Sequence, residues 1–237
     1  MMKRFLLAIL LIGSIQQVLA QNTSAKEVIE AMYNKYKGQW YTNLTFVQKT
    51  SFYSNEELQR EETWFEAMKI PEALIIKFES LDSGNGMIFK NDSMQVFRNG
   101  VMANSMRRVH DILVLGFTVY ADSPEKSIAR LEEAGYDFSS LTETDQYYII
   151  GDPSSKQAWI EKERLLFTKS KSINPDGSES VTEFNKYEKL GKAWIAPEVV
   201  FYRNNQMVMK EEYYEMSIAK KLDMKIFNSS KFKDSTW

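Results

Sequence analysis

The stretch "NLTFVQKTSFY" (residues 43–53) decides the fold. Leu44, Phe46 and Phe52 fall on one side together with Gln48 and Thr50. Thr45, Lys49, Ser51 and Tyr53 fall on the other, and Val47 alone breaks the pattern. Successive side chains of a β-strand point to opposite faces, so a period of two predicts a strand with one apolar face. Such a face needs a cover, which is either the protein's own core or a ligand.

Upstream, Ser24-Ala25-Lys26-Glu27 has the spacing of a capping box, with Ser at the cap and Glu three residues on. It predicts a helix whose apolar stripe runs through Ala25, Val28, Ile29, Met32, Tyr33 and Tyr36 and which stops at Gly38. Further upstream, Lys3 and Arg4 precede the apolar run 5–15 and the small-residue end "VLA". This reads as an export signal cleaved after Ala20, because the run falls short of the roughly 20 residues a membrane span needs. Residues 21–237 then form a single domain.

Downstream, the period of two continues. "EETWFEAM" (residues 61–68) sets Trp64 and Met68 against Phe65 and Ala67, and Pro71 ends it. "ALIIKF" (73–78) follows, then "MIFK" and "MQVF" flank the turn "NDS". The alternation stops near Gly100. Residues 106–121 are basic and then strongly apolar, which predicts a short helix with Ile112, Leu113 and Leu115 apolar. Ser123-Pro124 opens a second helix that turns Ile128 and Leu131 inward and ends at Gly135. Strands resume through "QYYIIG", "QAWIEK", a hairpin about "NPDG", "AWIAPEVVFY" and "QMVMKEEYYEM". The expected class is α+β and mainly antiparallel β. About eleven strands either close into a barrel or curl around the helices that cover them.

Thirty Lys and Arg face 32 Asp and Glu, which leaves no basic footprint for nucleic acid. There is no cysteine, so the exported chain fits a bacterial envelope better than a disulfide-built secreted domain. The one histidine, His110, precedes Asp111, and adjacent side chains do not orient each other. No nucleophile elbow or phosphate loop is present. The pairs Glu61-Glu62, Glu132-Glu133 and Glu211-Glu212 read as solvated surface. No catalytic residue, metal site or cofactor is assigned. Methionines are frequent, and their flexible side chains suit either a core or a ligand of variable shape.

The order of these features resembles the periplasmic outer-membrane lipoprotein carriers of the LolA type. In that family an export signal and an amphipathic helix precede a strand bearing Phe-x-Gln, here Phe46-Val47-Gln48. A basic-Pro turn follows, similar to Lys69-Ile70-Pro71, then a hairpin, a helical insertion and a run of strands. The resemblance covers most of residues 24–218. It implies an incomplete barrel wrapped around an N-terminal helix and a central helical lid, with an apolar cavity for acyl chains. One position departs from the pattern. The family's arginine before the proline, which holds the lid shut, is Ile70 here, and Arg107 or Arg108 is the candidate substitute.

On that resemblance the cavity lining comes from the apolar strand faces. The candidates are Leu44, Phe46, Trp64, Met68, Leu74, Ile76 and Met87, with Phe89, Met94, Val96, Val199, Phe201, Met207 and Met209. The lid candidates are Val28 and Met32 on the first helix and Ile112, Leu113, Leu115 and Phe117 in the insertion. The implied role is a monomeric periplasmic carrier that moves acylated lipoprotein or another lipid towards the outer membrane without covalent catalysis. Its implied partners are an inner-membrane release complex, an outer-membrane acceptor and, transiently, the membrane. A ligand-binding or sensory envelope domain on the same fold is the alternative, and an enzyme is the third reading.

Overall fold

A computed structural model describes residues 23–237. The expected export signal lies outside the described residues. Helix α1 (Ala25–Tyr36) has the predicted capping box: Ser24 Oγ accepts from the Glu27 amide, and Glu27 accepts from the Ser24 amide at 2.6 Å. Its stripe of Ala25, Val28, Ile29, Met32 and Tyr36 is buried.

The strands β1 (Asn43–Ser54), β2 (Glu57–Lys69), β3 (Ala73–Phe78), β4 (Gly86–Lys90), β5 (Ser93–Arg98) and β6 (Val101–Arg107) form a meander. Then come α2 (Asp111–Gly116), a single 3-10 turn (Thr118–Tyr120) and α3 (Pro124–Glu133). The second run of strands is β7 (Leu141–Glu143), β8 (Tyr147–Ile150), β9 (Lys156–Glu161), β10 (Leu166–Ile173) and β11 (Glu179–Asn185). A small ribbon of β12 (Glu188–Leu190) and β13 (Ala193–Ile195) leads to β14 (Glu198–Arg203) and β15 (Gln206–Ile218).

Among the described residues, thirteen strands make one antiparallel sheet in the order β6-β5-β4-β3-β2-β1-β15-β14-β11-β10-β9-β8-β7. Its two edges, β6 and β7, do not pair, so the barrel is open. The strand number exceeds the expected eleven because β6 and β7 were not anticipated. β6 is exposed along its whole length and β7 is three residues long, so neither carries a one-sided apolar pattern. The turns behave as their residues dictate: Asn91-Asp92 and Asn204-Asn205 all take positive φ, the twist that two-residue hairpins favour.

The convex face of the sheet is covered by the C-terminal segment. Phe227 and Phe232 pack on Ala67, Ala73, Ile75, Ile88 and Phe97, and the rings of Phe97 and Phe232 stack at 4.0 Å. On the concave face, α1 lies beneath β8–β10. Lys35 and the Tyr36 hydroxyl donate to the carbonyls of Glu163 and Arg164, both at 2.6 Å. Trp40 stacks on Tyr120 at 3.9 Å, and the Tyr120 hydroxyl accepts from the Phe167 amide. That half of the concavity is solid.

Candidate functional site

The other half of the concavity is hollow. Beneath α2, a cavity of about 290 Å³ is walled by β1–β4, β11, β14 and β15. Its position follows from strand parity. Gln48 of β1 stands opposite Trp64 of β2 and Tyr213 of β15, so Trp64, Glu66 and Met68 share an inner face with Met209, Glu211 and Tyr213. β3 adds Leu74 and Ile76, which pair with Phe89 and Met87 of β4. Phe201 of β14 pairs with Met209, and Phe184 of β11 completes the wall.

Of the wall candidates, Trp64, Met68, Leu74, Ile76, Met87, Phe89, Phe201 and Met209 border the cavity. Leu44, Phe46 and Val199 point to the same side but lie in the filled core, with the Phe46 ring against Tyr213 at 4.5 Å. Met94 is buried and Val96 packs on the core beside it, both clear of the cavity. Met207 sits half-buried near the β14–β15 turn, opposite Tyr202. Ile112, Leu113 and Phe117 of the insertion roof the cavity, whereas Leu115 is buried on the far side of α2. Val28 and Met32 are held in the solid half, away from the roof.

Helix α2 has six residues, too few to hold its shape without packing and caps. Gly116 lets it lie on β11, since a Cβ there would meet the Phe184 ring at 2.6 Å. His110 caps its start: Nδ1 accepts from the Leu113 amide at 3.2 Å, and the imidazole meets the Phe89 ring edge-on. Burial holds the His110 pKa down to about 4, with Asp111 opposing and Arg108 adding to the shift. The ring is therefore neutral at neutral pH, as an accepting Nδ1 requires.

Burial works to raise the Asp111 pKa, but the Lys156 ammonium at 2.8 Å more than offsets it and the carboxyl stays below its usual range. Lys156 also donates to the Ala134 carbonyl, which ties α2 to the end of α3. Arg130 of α3 bridges Asp92 in the β4–β5 turn and Asp122. Arg107 grips Glu133 through two hydrogen bonds of 2.8 and 2.6 Å. Ile70 is buried in the core, and this set of ion pairs ties the insertion to the sheet. Arg108 itself borders the cavity.

The polar side of the cavity was not anticipated. Glu211 faces inward, while its neighbour Glu212 faces outward to Lys49 and Lys210. The expectation of a solvated pair fails here because adjacent residues of a strand cannot share a face. Glu62, on the inner parity of β2, accepts from the Trp64 indole at 2.9 Å rather than standing in water. Glu66 is 4 % exposed and borders the cavity. Burial and then the Glu211 carboxylate push its pKa well above the usual range. Burial raises Glu211 to about 7, although the Tyr213 hydroxyl donates to it at 3.0 Å. Gln48 and Thr50 complete this floor, joined at 2.8 Å. Pairing parity was the available signal: Glu62 and Glu66 share the parity of Trp64 and Met68.

No protein-family model matches the chain, and no curated protein matches it by sequence. Solved structures do. A LolA superfamily protein from Nitrosomonas europaea aligns at TM-score 0.53 and 15% identity, over 87% of this chain and 98% of its own. An outer membrane lipoprotein-sorting protein domain from Vibrio parahaemolyticus aligns at TM-score 0.60 and 10% identity, over 88% and 97%. A DUF1329 family protein from Desulfovibrio piger aligns at TM-score 0.57 and 12% identity, over 86% and 95%. With its open antiparallel sheet wrapped around helices, the chain has the LolA-like fold of these solved structures.

Proposed function

We propose that this chain is a periplasmic carrier that holds an acyl chain of a lipoprotein or another lipid in the cavity beneath α2 and moves it towards the outer membrane. The observation that carries this reading is the cavity itself. It is a hollow of about 290 Å³ under a six-residue helix, whereas the opposite face of β2–β5 is covered by Phe227 and Phe232. That volume is at the lower end for a ligand pocket, roughly 300–1,000 Å³. It suits one chain in the closed state, and a bulkier cargo requires α2 to lift.

The physics suits a shuttle. Burying a sixteen-carbon chain is worth on the order of 12 kcal/mol gross, at about 0.8 kcal/mol per CH₂. Lifting α2 uncovers Ile112, Leu113 and Phe117, and an acyl chain re-covers what they leave. Net affinity is the difference between two burials, so cargo can be both held and released. No covalent step is needed. Handover at an outer-membrane acceptor, after loading at an inner-membrane release complex, requires only transient membrane contact, and a monomer suffices.

The test uses the protein lacking its first 20 residues and a detergent-solubilised acylated lipoprotein. Capture is read as a soluble complex on gel filtration. Phe201→Asp and Met209→Asp should each abolish capture and leave the far-UV circular dichroism intact. Both sites are preferred to Phe46, where a charge would enter the packed core. Capture that survives both substitutions overturns the cavity assignment. Capture without release to outer-membrane vesicles favours a sensory domain over a carrier.

A further inference from the structure

The carrier reading accounts for the oily wall but not for the carboxyls set into it. Glu66 comes from β2 and Glu211 from β15, on either side of β1, with Gln48 of β1 between them. Among the described residues no side chain hydrogen-bonds or ion-pairs with the Glu66 carboxyl, though the residue is almost fully buried and borders the cavity. Glu211 accepts from the Tyr213 hydroxyl at 3.0 Å, and the Gln48 side-chain amide also lowers its pKa. A carboxyl with so few partners in a buried site keeps its proton, and gives it up only when a cation arrives to pair with it. The missing partner belongs in the cavity, and it must donate hydrogen bonds, carry positive charge, or both.

We propose that the cavity binds an amphiphile whose polar end is an ammonium group, seated between Glu66 and Glu211, with its hydrocarbon chain running along Met68, Leu74 and Ile76 under α2. This rests on the reading of the cavity as a lipid site and names the head group that the site selects. Charge and geometry agree on the direction of the ligand. The remaining charged groups facing the hollow are Arg108, His110 and Asp111, all on the roof segment. Asp111 is neutralised by Lys156, and His110 is neutral above about pH 4. Arg108 therefore marks the roof as the positive end, and the β2–β1–β15 floor is where negative charge develops once a cation displaces the carboxyl protons. An ammonium goes to the floor. A carboxylate head would go to the roof instead.

The same groups set the pH dependence. The two floor carboxyls hold onto protons at neutral pH, and an ammonium displaces them. Binding of the ammonium should strengthen as pH rises from 6 to 8, while an uncharged head should show no such trend.

The experiment compares dodecylamine, dodecanol and dodecanoate below their aggregation concentrations, by calorimetric titration into the protein lacking its first 20 residues. The expected result is that dodecylamine binds roughly tenfold or more tightly than dodecanol, the scale of a charge-assisted hydrogen bond in a dry site. In the Glu66→Gln, Glu211→Gln double variant that preference should fall to about twofold or less. Far-UV circular dichroism matching that of the unaltered protein shows that the variant is folded. Equal binding of amine and alcohol by the unaltered protein, or tightest binding of dodecanoate, overturns the head-group proposal and leaves the lipid site standing. Failure of all three to bind overturns the lipid site and the head-group proposal together.

Discussion

The two halves of the concave face begin from the same kind of sequence and end differently. Under β8–β10, the stripe of α1 and the rings of Trp40 and Tyr120 are buried against the sheet. Under β2–β4 and β14–β15, strands of the same one-sided pattern face a short helix that does not fill the space. The difference lies in the covering element. Helix α1 has twelve residues, a full capping box and a continuous buried stripe. Helix α2 has six residues, leans on one imidazole cap, and is tied down at its start by the Asp111–Lys156 ion pair. A long amphipathic helix makes a core, whereas a short, pinned one makes a roof.

The largest break in this comparison is expected in the solid half. Trp40→Ala should cost about 3–5 kcal/mol, the range for truncating a buried aromatic, read as a fall in the denaturant midpoint at unchanged slope. Phe201→Ala in the hollow half should cost only about 1–2 kcal/mol, because its half-buried ring already borders empty space. If the two substitutions cost the same, the hollow half is as tightly packed as the solid one, and the distinction fails.

The roof sharpens the contrast. Asp111→Asn removes the Lys156 ion pair, in which both side chains are about a quarter exposed, and should cost about 1 kcal/mol after solvent screening. Its signature is local. Amide exchange in α2 should speed up while that in α1 does not change. Equal acceleration in both helices would mean that they open together.

The smallest effect is a change in pH slope. His110 has a folded pKa of about 4 against an ordinary 6.5, so the folded state binds fewer protons than the unfolded state between those values. Its contribution to stability is present above pH 6.5 and is lost as pH falls towards 4. His110→Asn keeps an N-cap acceptor and removes the titration. At pH 7 its stability should lie within about 0.5 kcal/mol of the unaltered protein. Below pH 6.5 it should lose less stability than the unaltered protein. Identical acid profiles for the two would rule out His110 as the group that titrates at the roof.

Much of the architecture was legible along the chain. The capping box at Ser24, the parity of residues 43–53, the hairpin at Asn91-Asp92, the Pro124 helix start and the apolar α2 are all local features. Local sequence sets them through the periods of 2 and 3.6 and through turn chemistry. The missed strand β6 shows the limit, since an edge strand exposed on both faces has no alternation to read. Parity also held the inward turn of Glu66 and Glu211, but their meaning depended on which face became the inside.

The sequence by itself determined the one-sided strands, the helices that cover them and the residues that share a face. These follow from backbone geometry over a few neighbouring residues. Only the tertiary structure decided that α1 fills its half and α2 does not, that Phe46 lies in the core while Phe201 borders the void, and that Glu66 and Glu211 flank the same strand. Whether a space is filled depends on the volumes and placement of side chains distant in sequence, and no local pattern encodes that sum.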